Sequence, residues 1–326
     1  MYIRAAVFEG IKKIIYREDY PKPVPGPDDV LIKVYYCGIC GSDVVNFKYE
    51  MYQVPLIMGH EISGEVVEIG KNITDVNIGD KVIAMNVAQY ISGQLKGLGI
   101  FEDGGFAEYV KVRRNNVFYP PKSISTKEAA MIESFANITR AIRGSRIENN
   151  QRIMIIGGGT IGLAFLATLL SEKDPEYVIV IEPHEFLRNK AIEFGALNAL
   201  PPSKAKIRKF IKDYGDPAFI FDSVGNGETL RMAFDLIQRG GTVLLEGIQK
   251  GISVPTFKII NKEICLKGCL SHDQNDILAT IDLFAKRKID GDKFISKVIS
   301  LKDVQKTFQS LVEPSKRDFI KILIKP

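Results

Sequence analysis

Between Tyr36 and Glu61 the chain reads YCGICGSDVVNFKYEMYQVPLIMGHE, which places the thiol of Cys40, the imidazole of His60 and the carboxylates of Asp43 and Glu61 in one short span. Cys40 and His60 suit a borderline-soft metal such as zinc, which accepts thiolate sulfur, imidazole nitrogen and carboxylate oxygen in one tetrahedral shell. Asp43 and Glu61 stand where such a site needs outer partners. Gly38, Gly41 and Gly59 flank these groups, so the sequence predicts that loops present them, as in an open catalytic metal centre. Two blander readings compete. Cys37 and Cys40 form a CxxC pair, which could be half of a zinc ribbon or a thioredoxin-like redox pair. A ribbon needs a second pair nearby, whereas Cys265 and Cys269 lie more than two hundred positions on, with one residue too many between them. A redox pair gives no reason for GHE to follow.

Gly157, Gly159 and Gly162 form a GxGxxG pattern, a weak signal alone. Here it follows an apolar strand-like run, opens an uncharged helix-like run, and precedes Glu182 by twenty residues counted from Gly162. Glycines let the backbone approach a diphosphate, and a helix N-terminus offers unpaired N–H groups and the positive end of a dipole. Glu182 would accept hydrogen bonds from an adenosine ribose and repel a 2′-phosphate, which favours NAD over NADP. Arg188 and Lys190 keep NADP open, and the plainer reading of Glu182 is a solvated strand end.

The elements that position these residues differ along the chain. In the first third, short β-branched runs (Ile3 to Phe8, Val30 to Cys37, Ile62 to Ile69, Lys81 to Ala84, Phe106 to Val112) predict a partly closed antiparallel barrel. Pro21, Pro23, Pro25 and Pro27 form a stiff connector. Ser125 and Glu128 make a capping box that starts a helix. From Arg152 the pattern alternates strand and helix: Ile153 to Ile156, Ile161 to Leu170, Tyr177 to Ile181, Glu185 to Phe194, Ser203 to Tyr214, Phe219 to Asp222, Glu228 to Leu236, Thr242 to Glu246. Such alternation predicts a doubly wound parallel sheet. Helices near Ile277 to Lys286 and Val304 to Leu311 and a strand at Phe319 to Ile324 are expected to return to the first domain.

A length of 326 residues allows two domains, and 45% apolar with 25% charged residues is ordinary for a globular protein. The net charge of +5 is scattered, which argues against a nucleic-acid or membrane-binding arm. Ile153 to Leu170 carries no charge over eighteen residues, but Gly157, Gly158 and Gly159 divide it into a strand and a helix, which argues against a membrane span. Four cysteines, with a strand-like run directly from Met1, predict a reducing cytoplasm.

Taken together, the chain resembles the zinc-dependent medium-chain alcohol dehydrogenases, nearly end to end. The resemblance rests on GICGSD (Gly38 to Asp43), GHEISGEVVEIG (Gly59 to Gly70), GDKV (Gly79 to Val82), GGFAEYV (Gly104 to Val110), IGGGTIGL (Ile156 to Leu163) and FDSVG (Phe221 to Gly225) in order. AAMIES (Ala129 to Ser134) is similar to the polyol branch, the sorbitol and galactitol-phosphate dehydrogenases. The resemblance implies a GroES-like catalytic domain at 1–134 and 270–326 around a Rossmann domain at 135–269. It implies one catalytic zinc on Cys40 and His60, with Glu61 a direct ligand in some states and Glu133 bound directly or through water. Ser42 falls at the proton-relay hydroxyl; Ile161, Gly247 and Ile248 at the dinucleotide groove; Cys269 and Leu270 at its nicotinamide end. It further implies hydride transfer between NAD and a secondary alcohol, a polyol, sugar alcohol or diol, in a homodimer or homotetramer associating through an edge strand at Thr242 to Glu246 and Gly251 to Pro255.

The sequence also departs from that family. No cysteine lies between Asn86 and Asp103, where the four-cysteine structural-zinc lobe belongs, so a single zinc is expected. Val45, Asn46, Ser134 and Ser271 replace a histidine, an aromatic residue, a proline and an arginine, changes expected to fall on substrate contacts. Two rivals remain: a zinc-free quinone-reductase-like NADPH reductase, which would lack the Cys/His pair, and a non-catalytic nucleotide-binding protein of the same fold.

Overall fold

A computed structural model describes residues 1–86, 89–91, 94–247, 253–312 and 317–326, the side chains of 89–91 and 94–96 excepted. The chain forms two compact units. One comprises Met1–Ser134, Ile277–Ser315 and Lys321–Pro326; the other comprises Phe135–Asp276 and Lys316–Ile320.

The first unit is built on a seven-stranded sheet in the order Val117–Phe118, Lys81–Ala84, Glu61–Ile69, Asp29–Gly38, Lys321–Lys325, Ile295–Ser300, with Tyr109–Arg113 also on Asp29–Gly38. Its pairings are antiparallel except that of Ile295–Ser300 with Lys321–Lys325. Irregularities at Leu31/Ile32 and Val34/Tyr36 bend the long central strand, which is how a sheet curls toward a barrel. At Gly64 a Cβ would lie 2.3 Å from the Lys33 carbonyl oxygen, so only glycine permits this strand approach. A smaller sheet orders Lys13–Pro21, Tyr2–Gly10 and Leu56–Ile57.

Register sets the geometry here. Gly38 pairs with Glu61 on one side and with Leu323 on the other, so Cys40, His60 and Lys321 all lie within two residues of that single rung. The loop expected after Gly38 is instead the helix Gly41–Tyr49, capped at Cys40. The Asp43 carboxylate accepts the Cys40 N–H at 2.9 Å, and buried Phe47 packs on Phe308 of the helix Val304–Val312 with ring centroids 5.3 Å apart. A capping side chain and one apolar anchor outweigh the glycines that had argued for a loop.

The second unit is a six-stranded parallel sheet ordered Asn198–Leu200, Tyr177–Ile181, Arg152–Ile156, Phe219–Asp222, Thr242–Leu245, Cys265–Gly268. Tyr177–Ile181 and Phe219–Asp222 are buried throughout, as strands covered on both faces must be. Phe165 of the helix Thr160–Glu172 stacks on Phe221 with centroids 4.0 Å apart, while Ile207, Phe210 and Phe234 join a cluster with Met154, Ile179 and Ile220. Among the described residues Thr242–Leu245 lies inside the sheet, with Cys265–Gly268 outside it as the edge strand on that side, which corrects the Thr242 to Glu246 half of the expected edge. The Gly251 to Pro255 half of that expectation falls partly outside the described residues. Among the described residues no helix is long and apolar enough to cross a membrane.

Candidate active site

In the first unit, Asp43 is fixed by its bond to the Cys40 N–H, so its second oxygen, Oδ1, lies 3.7 Å from His60 Nδ1. Both atoms are buried and neither has a hydrogen-bond partner. A ring whose Nδ1–H points at a carboxylate presents Nε2 as a ligand nitrogen, the usual outer support of a metal-bound histidine. Ser42 Oγ stands 3.5 Å from that Nε2, and the Tyr52 phenol lies close to Ser42. Burial works against a charged His60 ring, but Asp43 and Cys40 beside it hold its pKa well above the ordinary imidazole range. Asp43 is pushed up by burial, with His60 opposing.

Glu133, in the first turn of the helix Ile132–Ser145, is pushed up to about 7 by burial, with His60 opposing and Glu61 adding to the rise. Glu61 differs. It is fully buried, with Lys321 Nζ donating to its two oxygens at 2.6 and 2.7 Å and Ser134 Oγ donating at 2.6 Å. Burial pushes the Glu61 carboxyl up, but Lys321, His60 and Ser134 outweigh that and hold it below its ordinary value. Glu61, expected as a direct metal ligand in some states, is held here in an ion pair in which Lys321 donates to both of its oxygens. Gly38 makes room for this pair, since a Cβ there would lie 1.8 Å from Glu61 Oε2.

Among the described residues, Cys40, His60, Glu61 and Glu133 do not form a trio with all donor atoms within 4.8 Å; Glu128, Asp290 and Asp292 do. Glu128 is already committed, accepting from the Ser125 N–H, the Gly291 N–H and Arg287. At the first cluster, one sulfur, one imidazole nitrogen oriented by a carboxylate, and a buried carboxyl group form the donor chemistry of a catalytic zinc site. The residues fit the ion.

Asn46, expected at a substrate contact, is wholly buried and braces the segment after its helix: its amide oxygen accepts the Met51 and Tyr52 N–H groups at 2.7 Å each. Ser134 does not stand in for a proline contact but donates to Glu61. Sequence reasoning passed over Lys321 and Tyr52. A lone lysine inside the apolar run FIKILI was the available signal for the first; nothing local marked the second.

In the second unit, Gly157 adopts φ +96° at the end of Arg152–Ile156, and its N–H donates to the Ile181 carbonyl at 2.9 Å. A Cβ on Gly162 would lie 1.9 Å from the Gly157 carbonyl oxygen, so the tight turn requires that glycine. Gly159 caps the helix Thr160–Glu172, on which Ile161 and Gly162 occupy the first turn. Gly247 and Gly225 approach so closely that a Cβ on Gly225 would meet the Gly247 carbonyl oxygen at 2.1 Å. Ile248 lies outside the described residues. These turns follow the strands on either side of the point where sheet order reverses, where doubly wound folds bind nucleotides.

Glu182 is not a solvated strand end. It is 5% exposed, and its oxygens accept the Gly158 N–H at 2.8 Å and the His184 N–H at 2.9 Å. Arg188 donates to the Glu182 and Pro183 carbonyls, and Lys190 pairs with Glu193. Cys269 and Leu270 line a cavity of about 300 Å³ with Arg140, Arg143 and Lys267.

Comparison with known proteins gives a consistent picture. Residues 26–122 match the alcohol dehydrogenase GroES-like domain and residues 161–286 match the zinc-binding dehydrogenase family. The chain is 30% identical to D-arabitol-phosphate dehydrogenase of Enterococcus avium over 330 residues, covering 94% of this chain and 92% of that one. It is 27% identical to sorbitol dehydrogenase of Halalkalibacterium halodurans over 328 residues, covering 95% of each. Its fold matches a zinc-binding dehydrogenase of Sinorhizobium meliloti 1021, solved with NADP, at TM-score 0.89, 28% identity and full coverage of both chains. With GroES-like and Rossmann units, and relatives named for their action on polyols, the chain belongs to the zinc-binding alcohol dehydrogenases and is an NAD(P)-dependent alcohol or polyol oxidoreductase.

Proposed function

We propose that the chain oxidises a secondary hydroxyl of a small polyol, sugar alcohol or diol with NAD, using a single zinc held by Cys40, His60 and Glu133. The observation that carries this reading is the buried His60–Asp43 contact at 3.7 Å, which orients an imidazole nitrogen beside Ser42. Bound zinc would supply a Lewis acid that lowers the pKa of an alcohol, and bound nicotinamide a hydride acceptor. The chain's own residues do the rest. Asp43 holds the ring. Burial pushes the Glu133 pKa up to about 7, so its ionised form is the one a dication would balance. Ser42 Oγ accepts the proton of the substrate hydroxyl in a hydrogen bond and hands its own onward. Glu61, held by Lys321 and Ser134, remains an ionised neighbour.

A single ion is favoured because Asn86 to Asp103 contains no cysteine. NAD is favoured because Glu182 is a buried carboxylate while Arg188 and Lys190 already have partners. Assembly as a homodimer or homotetramer would use the edge strand Cys265–Gly268, and light scattering that reads a monomer would overturn that part. The principal test is metal analysis of the purified protein together with NAD and NADP reduction across polyols, diols and secondary alcohols, followed by absorbance of the reduced nicotinamide. About one zinc per chain and reduction of NAD are expected. Full activity in Cys40→Ser, or in protein free of zinc, would sink the reading.

A further inference from the structure

We infer that Arg317 binds the diphosphate bridge of the dinucleotide, an inference that rests on the cofactor reading above. Arg317 and the glycine turn are far apart in sequence, yet the guanidinium nitrogens Nη1 and Nη2 both lie 3.3 Å from where a Cβ on Gly159 would be. Two contacts hold it there. Its Cζ lies over the Phe319 ring, 5.2 Å from the centroid, and Thr160 Oγ1 donates to the Ile320 carbonyl at 2.6 Å, tying 317–320 to the first turn of the helix Thr160–Glu172.

This placement is unfavourable without an anion. The N-terminus of a thirteen-residue helix carries a partial positive charge, and a guanidinium beside it has the same sign. Arg317 Nε is buried without a hydrogen-bond partner, and no carboxylate among the described residues forms an ion pair with the side chain. Glu182 is the opposing charge, but both its oxygens already accept backbone N–H groups. Burial holds the guanidinium pKa below its ordinary value despite Glu182. A phosphate between the helix end and the guanidinium would resolve the repulsion and take up the fork of N–H donors. The diphosphate is the anion a glycine turn at the reversal of a doubly wound sheet receives. Lys321 does not compete for the role, being committed to Glu61.

The test uses the full chain, with Arg317→Met and Arg317→Lys, and titrates NADH, ADP-ribose and adenosine by calorimetry. Arg317→Met should raise Kd for NADH and ADP-ribose roughly 10- to 100-fold, leave adenosine unchanged, and keep or raise the melting temperature of the unliganded protein. Arg317→Lys, which keeps a charge but loses the fork, should fall between. NADH affinity within about twofold of the parent would overturn the inference, as would equal weakening of all three ligands with a lowered melting temperature, the mark of a merely structural role. A parent that binds no NADH would instead bring down the cofactor reading, and the inference with it.

Discussion

Replacing Lys321 with methionine keeps most of the length of the side chain and removes its charge from beside Glu61. The two side chains are 2% and 0% exposed, so water cannot take over the role of the ammonium. Removing one partner of a buried ion pair typically costs about 3–5 kcal/mol. Ser134 still donates to Glu61 and offsets about 1 kcal/mol of that at most. Against a domain stability of about 5–15 kcal/mol the loss is large. Urea unfolding followed by far-UV circular dichroism measures it, since the chain has no tryptophan. Combining Lys321→Met with Glu61→Gln leaves a neutral pair and should recover about half of the deficit or more. The pH dependence has a definite sign. In the parent, Glu61 is held below its ordinary value, so the stability it contributes is present above the unfolded carboxylate pKa and is lost as pH falls through the lower folded pKa. In Lys321→Met burial acts with much less opposition, Glu61 takes up a proton, and the gap to the parent narrows as pH falls. A deficit under about 1 kcal/mol at neutral pH, or a double variant no more stable than the single, would refute the argument.

Asp43→Asn should weaken zinc binding about 10- to 100-fold while the fold is retained, because an amide no longer fixes the His60 ring; competition with a chelator measures it, and unchanged affinity would deny Asp43 the role. Glu133 predicts a stability slope in chelator-treated protein. Its folded pKa of about 7 lies above the unfolded value, so the native state holds an extra proton between the two and loses stability as pH rises through that window, by about 3 kcal/mol in all. Glu133→Gln should remove that share of the slope, and parallel stability curves for the two proteins would contradict it.

Local patterns carried their information in the sequence. The Gly157, Gly159 and Gly162 spacing, the buried runs YVIVI and FIFD, and the Ser125–Glu128 capping box each express a constraint met within a few residues. The strands Cys265–Gly268 and Ile295–Ser300 were not legible. Both are mostly exposed and lack the apolar run that a covered strand needs. The helix Gly41–Tyr49 was hidden by its glycines, although the Cys40–Asp43 cap was present in the sequence. At the candidate site Cys40 and His60 could be picked out by type, but the destination of Glu61 could not. It depends on Lys321, 260 positions away in sequence, and on a serine that has no meaning until the sheet closes.

A side chain at position 38 is excluded while Glu61 is present, and Glu61 cannot be lost without stranding Lys321 in the interior. In lineages descended from such a chain, these three positions can drift only in a restricted order. The lysine and the acid must be neutralised together before the glycine is free to vary, so a relative with alanine at the first position should lack the charged pair as well.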